Sequence, residues 1–131
     1  MLIQNGTLFC EDGTFRALDL EIQGDKIAAI GPGIKAGGQE VLDATGCYVV
    51  PGLVDIHIHG AMGADFSDGE EASIQTMARY LLSQGVTSFL GTSMALPEER
   101  LSHIFRTARP LVGRVSPGMA VLRGINMEGP F

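Results

Sequence analysis

Two histidines, His57 and His59, stand two residues apart at the end of the run PGLVDIHIHG, residues 51–60. In an extended strand, residues two apart share a face. Asp55, His57 and His59 then point one way, and Val54, Ile56 and Ile58 the other. Gly60 ends the strand. Two imidazoles stacked at a strand end can reach one divalent cation. Asp55, one strand step below His57, is placed to hydrogen-bond an imidazole from behind. A carboxylate follows much later in the chain. Reading residues 119–128 as a strand puts Gly124, Asn126 and Glu128 on one face, and Ile125 and Met127 on the other. Glu128 falls at the carboxyl end of that strand, before Gly129 and Pro130. His57, His59 and Glu128 make an N,N,O set suited to zinc or ferrous iron. The plainer alternative is a polar strand face with metal-free histidines and a solvated carboxylate. His103 reads as a surface residue of a helix, and Asp65 and Asp68 as loop and cap residues.

The elements that must carry these groups change character near Pro51. Residues 1–50 read as short strands separated by hairpin-type dipeptides, Asn5-Gly6, Asp12-Gly13 and Gly24-Asp25. Strand segments are expected at 18–22, 27–30, 41–42 and 48–50, forming a small β module. From Pro51 the pattern becomes strand, helix, strand, helix, strand. The first strand is 54–59. A helix over 70–84 carries Ile74, Met77, Ala78, Leu81 and Leu82 on one apolar stripe. Asp68 and Glu71 have the spacing of its N-terminal cap, and Gly85 suits its C-terminal end. A strand follows at 86–90. Pro97 suits the first turn of a second helix, whose stripe is Leu101, Ile104, Phe105 and Ala108 and which ends before Pro110. The third strand is 119–128. Alternating strands and helices imply an α/β fold with parallel strands and right-handed crossovers. The carboxyl ends of such strands are where barrel enzymes gather their catalysts.

Composition narrows the class. The 131 residues are 45% hydrophobic and 18% charged, with 18 glycines and 6 prolines, which is globular. A net charge of -6 with scattered basic residues argues against a sequence-independent nucleic-acid binder. Cys10 and Cys47 form no CxxC pair and read as buried or partly buried thiols of a reducing compartment. The N-terminus has no signal-peptide pattern, and no apolar run approaches the ~20 residues of a membrane span. A cytoplasmic protein is the expectation.

The run at 51–60, with its lead-in LDATGCYVV at 42–50, resembles the first barrel strand of the amidohydrolase superfamily and the segment by which that superfamily leaves its N-terminal β-sandwich. GVTSFL at 85–90 and especially GINMEGPF at 124–131 resemble the N-acetylglucosamine-6-phosphate deacetylases within it. The resemblance implies a metal-dependent hydrolase with a TIM-like (β/α)8 barrel preceded by a small β-sandwich module. Residues 1–50 would be that module, and 51–131 the first three strands and two helices of the barrel. It implies metal ligands at Glu128, His57 and His59, with one or two divalent ions, zinc or iron. Glu128 matches the family's ligand glutamate, and the histidine pair matches the one with which some members hold a second metal. Gly60 and Gly63 match a loop near the sugar, and Asn126 stands where many relatives carry histidine. The activity implied is hydrolysis of the N-acetyl group of N-acetylglucosamine 6-phosphate, giving glucosamine 6-phosphate and acetate, by a homodimeric enzyme. A full barrel takes roughly 250 residues. The general acid–base aspartate, further metal ligands and the phosphate grip are therefore expected beyond Phe131, and residues 1–131 alone are expected to be inactive. Two other readings stand beside this one. The chain could belong to a dihydroorotase-like or hydantoinase-like ring opener, or be a non-catalytic truncated product.

Overall fold

Turn chemistry shapes the first unit of the chain, Met1–Pro51. The computed structural model describes residues 1–129. Strands β1 (Leu2–Phe9), β2 (Phe15–Gln23) and β3 (Lys26–Gly31) form an antiparallel meander. Gly13 and Gly24, with φ of 76° and 61°, supply the left-handed turn positions that a side chain disfavours. Strands β4 (Val41–Asp43) and β5 (Tyr48–Val49) run parallel to β1 along its other edge.

Two expectations differ from the structure. Asn5-Gly6 makes no hairpin; β1 runs through it with a bulge between Ile3 and Gly6. Asn5 takes a φ of 62°, and its N–H donates to Oδ1 of the buried Asp19 at 3.2 Å. A Cβ on Gly6 would lie 2.6 Å from Val49 Cγ2, so the glycine serves close approach and not a turn. The five strands of this unit form one sheet, in the order β3-β2-β1-β4 with β5 also on β1. Cys10 is half-buried as expected, whereas Cys47 is exposed.

The second unit starts at Gly52. Its elements are β6 (Leu53–Ile58), β7 (Gly60–Ala61), β8 (Ala64–Asp65), α1 (Glu71–Ser83), β9 (Val86–Ser93), α2 (Glu98–Ala108) and β10 (Val121–Met127). Strands β6, β9 and β10 are parallel, in the order β10-β9-β6, and the sheet is open. The helical stripes behave as their periodicity requires. Ile74, Met77, Ala78 and Leu81 of α1 and Leu101, Ile104 and Ala108 of α2 are buried with Phe89 of the central strand. Burial is uneven on β6. Ile58 packs against this core, but Val54 and Ile56 are exposed, because β6 is an edge strand here. Among the described residues no helix is long and apolar enough to cross a membrane.

Local boundaries differ in instructive ways. Asp68 does not cap α1. A 3-10 turn at Phe66–Asp68 takes the cap instead, with Asp65 accepting from Ser67 N–H and Asp68 accepting from Asp65 N–H. Pro97 precedes α2 as its N-cap and is not in its first turn; Pro110 lies in a 3-10 turn, Arg109–Leu111. Strand β9 runs on through Gly91, Thr92 and Ser93, past the expected end at Leu90. Strand β10 stops at Met127, so Glu128 is the first residue beyond it. Pro130 and Phe131, which complete the motif at 124–131, lie outside the described residues.

Candidate metal centre

His59 and Glu128 each follow directly on the last residue of a parallel strand, β6 and β10. Both therefore lie at the carboxyl rim of the sheet. The central strand ties the rim together: Glu128 N–H donates to Ser93 O, the end of β9, at 3.3 Å. His59 is held from the loop side. Phe66 N–H donates to His59 O at 2.7 Å, and the Phe66 ring is fully buried. That ring lies where a side chain at position 91 would be, since a Cβ on Gly91 would come within 2.3 Å of it. The hairpin β7–β8 between them turns tightly on Met62 and Gly63, with φ of 56° and 76°. Gly60 abuts the same hairpin so closely that a Cβ there would sit 2.4 Å from Ala64 O.

The structure brings together all three expected side chains. His57 Nε2 is 3.0 Å and His59 Nε2 3.4 Å from the same oxygen, Oε1 of Glu128. The two Nε2 atoms are 3.3 Å apart, with the rings edge to face at 77°. These separations fit a cation. Ligand atoms about 2.0–2.1 Å from a tetrahedral ion are separated by about 3.3 Å. The donor set is also chemically apt, with two neutral imidazole nitrogens and one carboxylate oxygen open to solvent on one side. The described residues could thus hold a metal ion at His57, His59 and Glu128. His103 is not a member of this trio; its imidazole lies against Gly69.

Asp55 does not do what its position suggested. Its Oδ1 accepts from the backbone N–H of His57 at 3.0 Å, and no bond joins it to an imidazole. The residue that reaches the His57 ring is Asn126. Its Nδ2 donates to Ile56 O at 3.1 Å and lies 3.3 Å from His57 Nδ1. The sequence carried a signal for this, because Asn126 is two residues before Glu128 and shares its face. Other polar groups were missed. Thr92 and Ser93, at the end of β9, are fully buried, and neither hydroxyl has a hydrogen-bond partner among the described residues; the buried Nδ1 of His59 has none either.

A family model described as "Amidohydrolase family" matches residues 48–122, more than half of the chain. The chain belongs to the amidohydrolase family. An N-acetylglucosamine-6-phosphate deacetylase of Lysinibacillus sphaericus is 30% identical over 133 residues, covering 100% of this amidohydrolase chain and 34% of its own length. The crystal structure of an N-acetylglucosamine-6-phosphate deacetylase from Thermotoga maritima superposes with a TM-score of 0.75 at 32% identity, over 99% of this chain and 32% of that one. A D-hydantoinase of Geobacillus stearothermophilus is 52% identical over 58 residues, covering 44% of this chain and 12% of its own. The amidohydrolase chain therefore spans about a third of the length of the deacetylases it matches from end to end.

Proposed function

We propose that this chain supplies the first-strand and third-strand metal ligands of a cytoplasmic, metal-dependent deacetylase of N-acetylglucosamine 6-phosphate. The observation that carries the reading is the convergence of His57, His59 and Glu128 on one ligand sphere at the sheet's carboxyl rim, in a chain that matches deacetylases along its whole length. The hydantoinase match is stronger per residue but covers less than half of the chain.

The substrate's acetamide carbonyl is a weak electrophile, so the reaction needs both a better nucleophile than water and a polarised carbonyl. A divalent ion supplies both when bound, lowering the pKa of a coordinated water from 15.7 toward ~7 and withdrawing charge from the carbonyl oxygen. The chain's own residues set the conditions. His57 and His59 offer neutral nitrogens, and Glu128 brings the negative charge that holds a dication more tightly than three neutral donors. His57 lies in β6, and His59 and Glu128 follow directly on the last residues of β6 and β10, which fixes their spacing before any ion arrives. The rim position leaves one side of the trio open for a substrate. Hydrolysis consumes one water and releases acetate and a free amine, whose nitrogen takes up the proton that the nucleophile gave up.

The test is acetate release from N-acetylglucosamine 6-phosphate by the full-length protein carrying this sequence, loaded with zinc or ferrous iron. Turnover that disappears with chelation supports the proposal. Ring opening of a hydantoin or of dihydroorotate, with no acetate release, moves the assignment to the other branch of the family.

A further inference from the structure

The ladder between β6 and β9 shifts register between Asp55 and Ile58, and the peptide that joins Ile56 to His57 lies in that shift. Both polar groups of this peptide are hydrogen-bonded by side chains. Its C=O, on Ile56, accepts from Asn126 Nδ2 at 3.1 Å. Its N–H, on His57, donates to Asp55 Oδ1 at 3.0 Å. Two side chains thus hold, from opposite ends, a peptide that a sheet would ordinarily hold by its backbone. Asn126 reaches it from β10, across a sheet in which β10 and β6 are not neighbours.

We propose that Asn126 and Asp55 are positioning residues for His57: together they clamp the 56–57 peptide and so aim the His57 imidazole at Glu128. The proposal rests on the metal reading of the trio. Without the clamp, a peptide at a register shift of an edge strand can rotate, and His57 sits directly on it. A shift of about 1 Å at a ligand is enough to spoil a coordination sphere. Asn126 is well suited to the task, because one amide nitrogen faces both Ile56 O and the His57 ring.

The test is a cobalt(II) titration of the full-length protein, read by the visible absorption of the bound ion, with His57→Ala as the reference for a lost ligand. Asn126→Ala, Asn126→Asp and Asp55→Ala each weaken binding by about 10- to 100-fold, the usual range for residues that orient a ligand. Asn126→Asp belongs in this group because a carboxylate cannot donate to Ile56 O. Asp55→Asn keeps an oxygen that accepts from His57 N–H, so its affinity stays within about threefold of wild type. Melting midpoints in a chelator match wild type for all four, which separates aiming from general damage. Wild-type affinity in Asn126→Ala overturns the proposal. So does tighter binding in Asn126→Asp, which would mean that position 126 acts on the ring nitrogen and not on the peptide. If Asn126→Ala does not fold, the Asp55 pair decides, and equal affinities of Asp55→Ala and Asp55→Asn overturn the clamp. A wild-type protein that binds no cobalt refutes the metal reading itself, a different failure from a wild-type protein that binds it and variants that bind equally well.

Discussion

His57 Nε2 stands 3.0 Å from Glu128 Oε1, although His57 lies in β6 and Glu128 follows directly on β10, the two outer strands of a three-stranded sheet. Strand β9 lies between them, so the contact is made over the rim and not along a ladder. The carboxylate is the only anionic member of the trio. Glu128→Gln keeps the shape and removes the charge, and zinc affinity of the full-length protein should fall by more than about 100-fold, with acetate release falling alongside. Metal analysis after dialysis checks the first part and a turnover assay the second. Normal metal content at a normal rate would remove Glu128 from the ligand set.

Gly91 and Phe66 form a second testable pair. The Phe66 ring occupies the space above Gly91, and Phe66 N–H holds the carbonyl of His59. Gly91→Val drives a branched side chain into a ring that is fully buried. Overpacking of this kind costs about 1–3 kcal/mol. Chemical denaturation should show that loss, and Phe66→Leu in the same chain should restore part of it. Full additivity of the two substitutions would mean that they do not meet.

Acid should weaken the loop after β8. The carboxyl of Asp68 is held below its ordinary 3.8, first by the Asp65 N–H and then by the Ser73 hydroxyl. The folded state therefore favours the charged form. That stabilisation is complete above the ordinary value and is lost as the pH falls through the lowered one. The slope of the melting midpoint below pH ~4 should be shallower in Asp68→Ala than in wild type. An unchanged slope would show that these bonds do not discriminate between the two protonation states.

Leu53, Val54 and Ile56 on β6 and Met127 on β10 are exposed, and among the described residues both outer strands have an unpaired edge. Such edges recruit other strands. Expressed by itself, the 131-residue chain should self-associate in size-exclusion chromatography and release no acetate. A monodisperse monomer with deacetylase turnover would contradict this.

How much of this was legible in the sequence depended on the range of the interaction. The helical stripes of α1 and α2 repeat every turn, so Ile74 to Leu81 and Leu101 to Ala108 announce their own burial. The pairing of His57 with His59 follows from strand alternation alone. Local dipeptides misled where tertiary contact decided. Asn5-Gly6 looks like a turn, but the approach of Val49 and the carboxylate of Asp19 make it a bulge. Asp68 has a cap's spacing to Glu71, yet the competing turn at Phe66–Asp68 claims it. Asp55 bonds the backbone N–H of His57 and not an imidazole. The His57 N–H that Asp55 takes lies at a register shift of the β6–β9 ladder, and no feature of residues 51–60 announces that shift.

The most direct measurement is anomalous diffraction at the zinc edge from crystals of the full-length protein grown with zinc. A peak is expected within about 2.0–2.2 Å of His57 Nε2, His59 Nε2 and one Glu128 oxygen together. Zinc bound elsewhere, with these three atoms outside its coordination sphere, would contradict it.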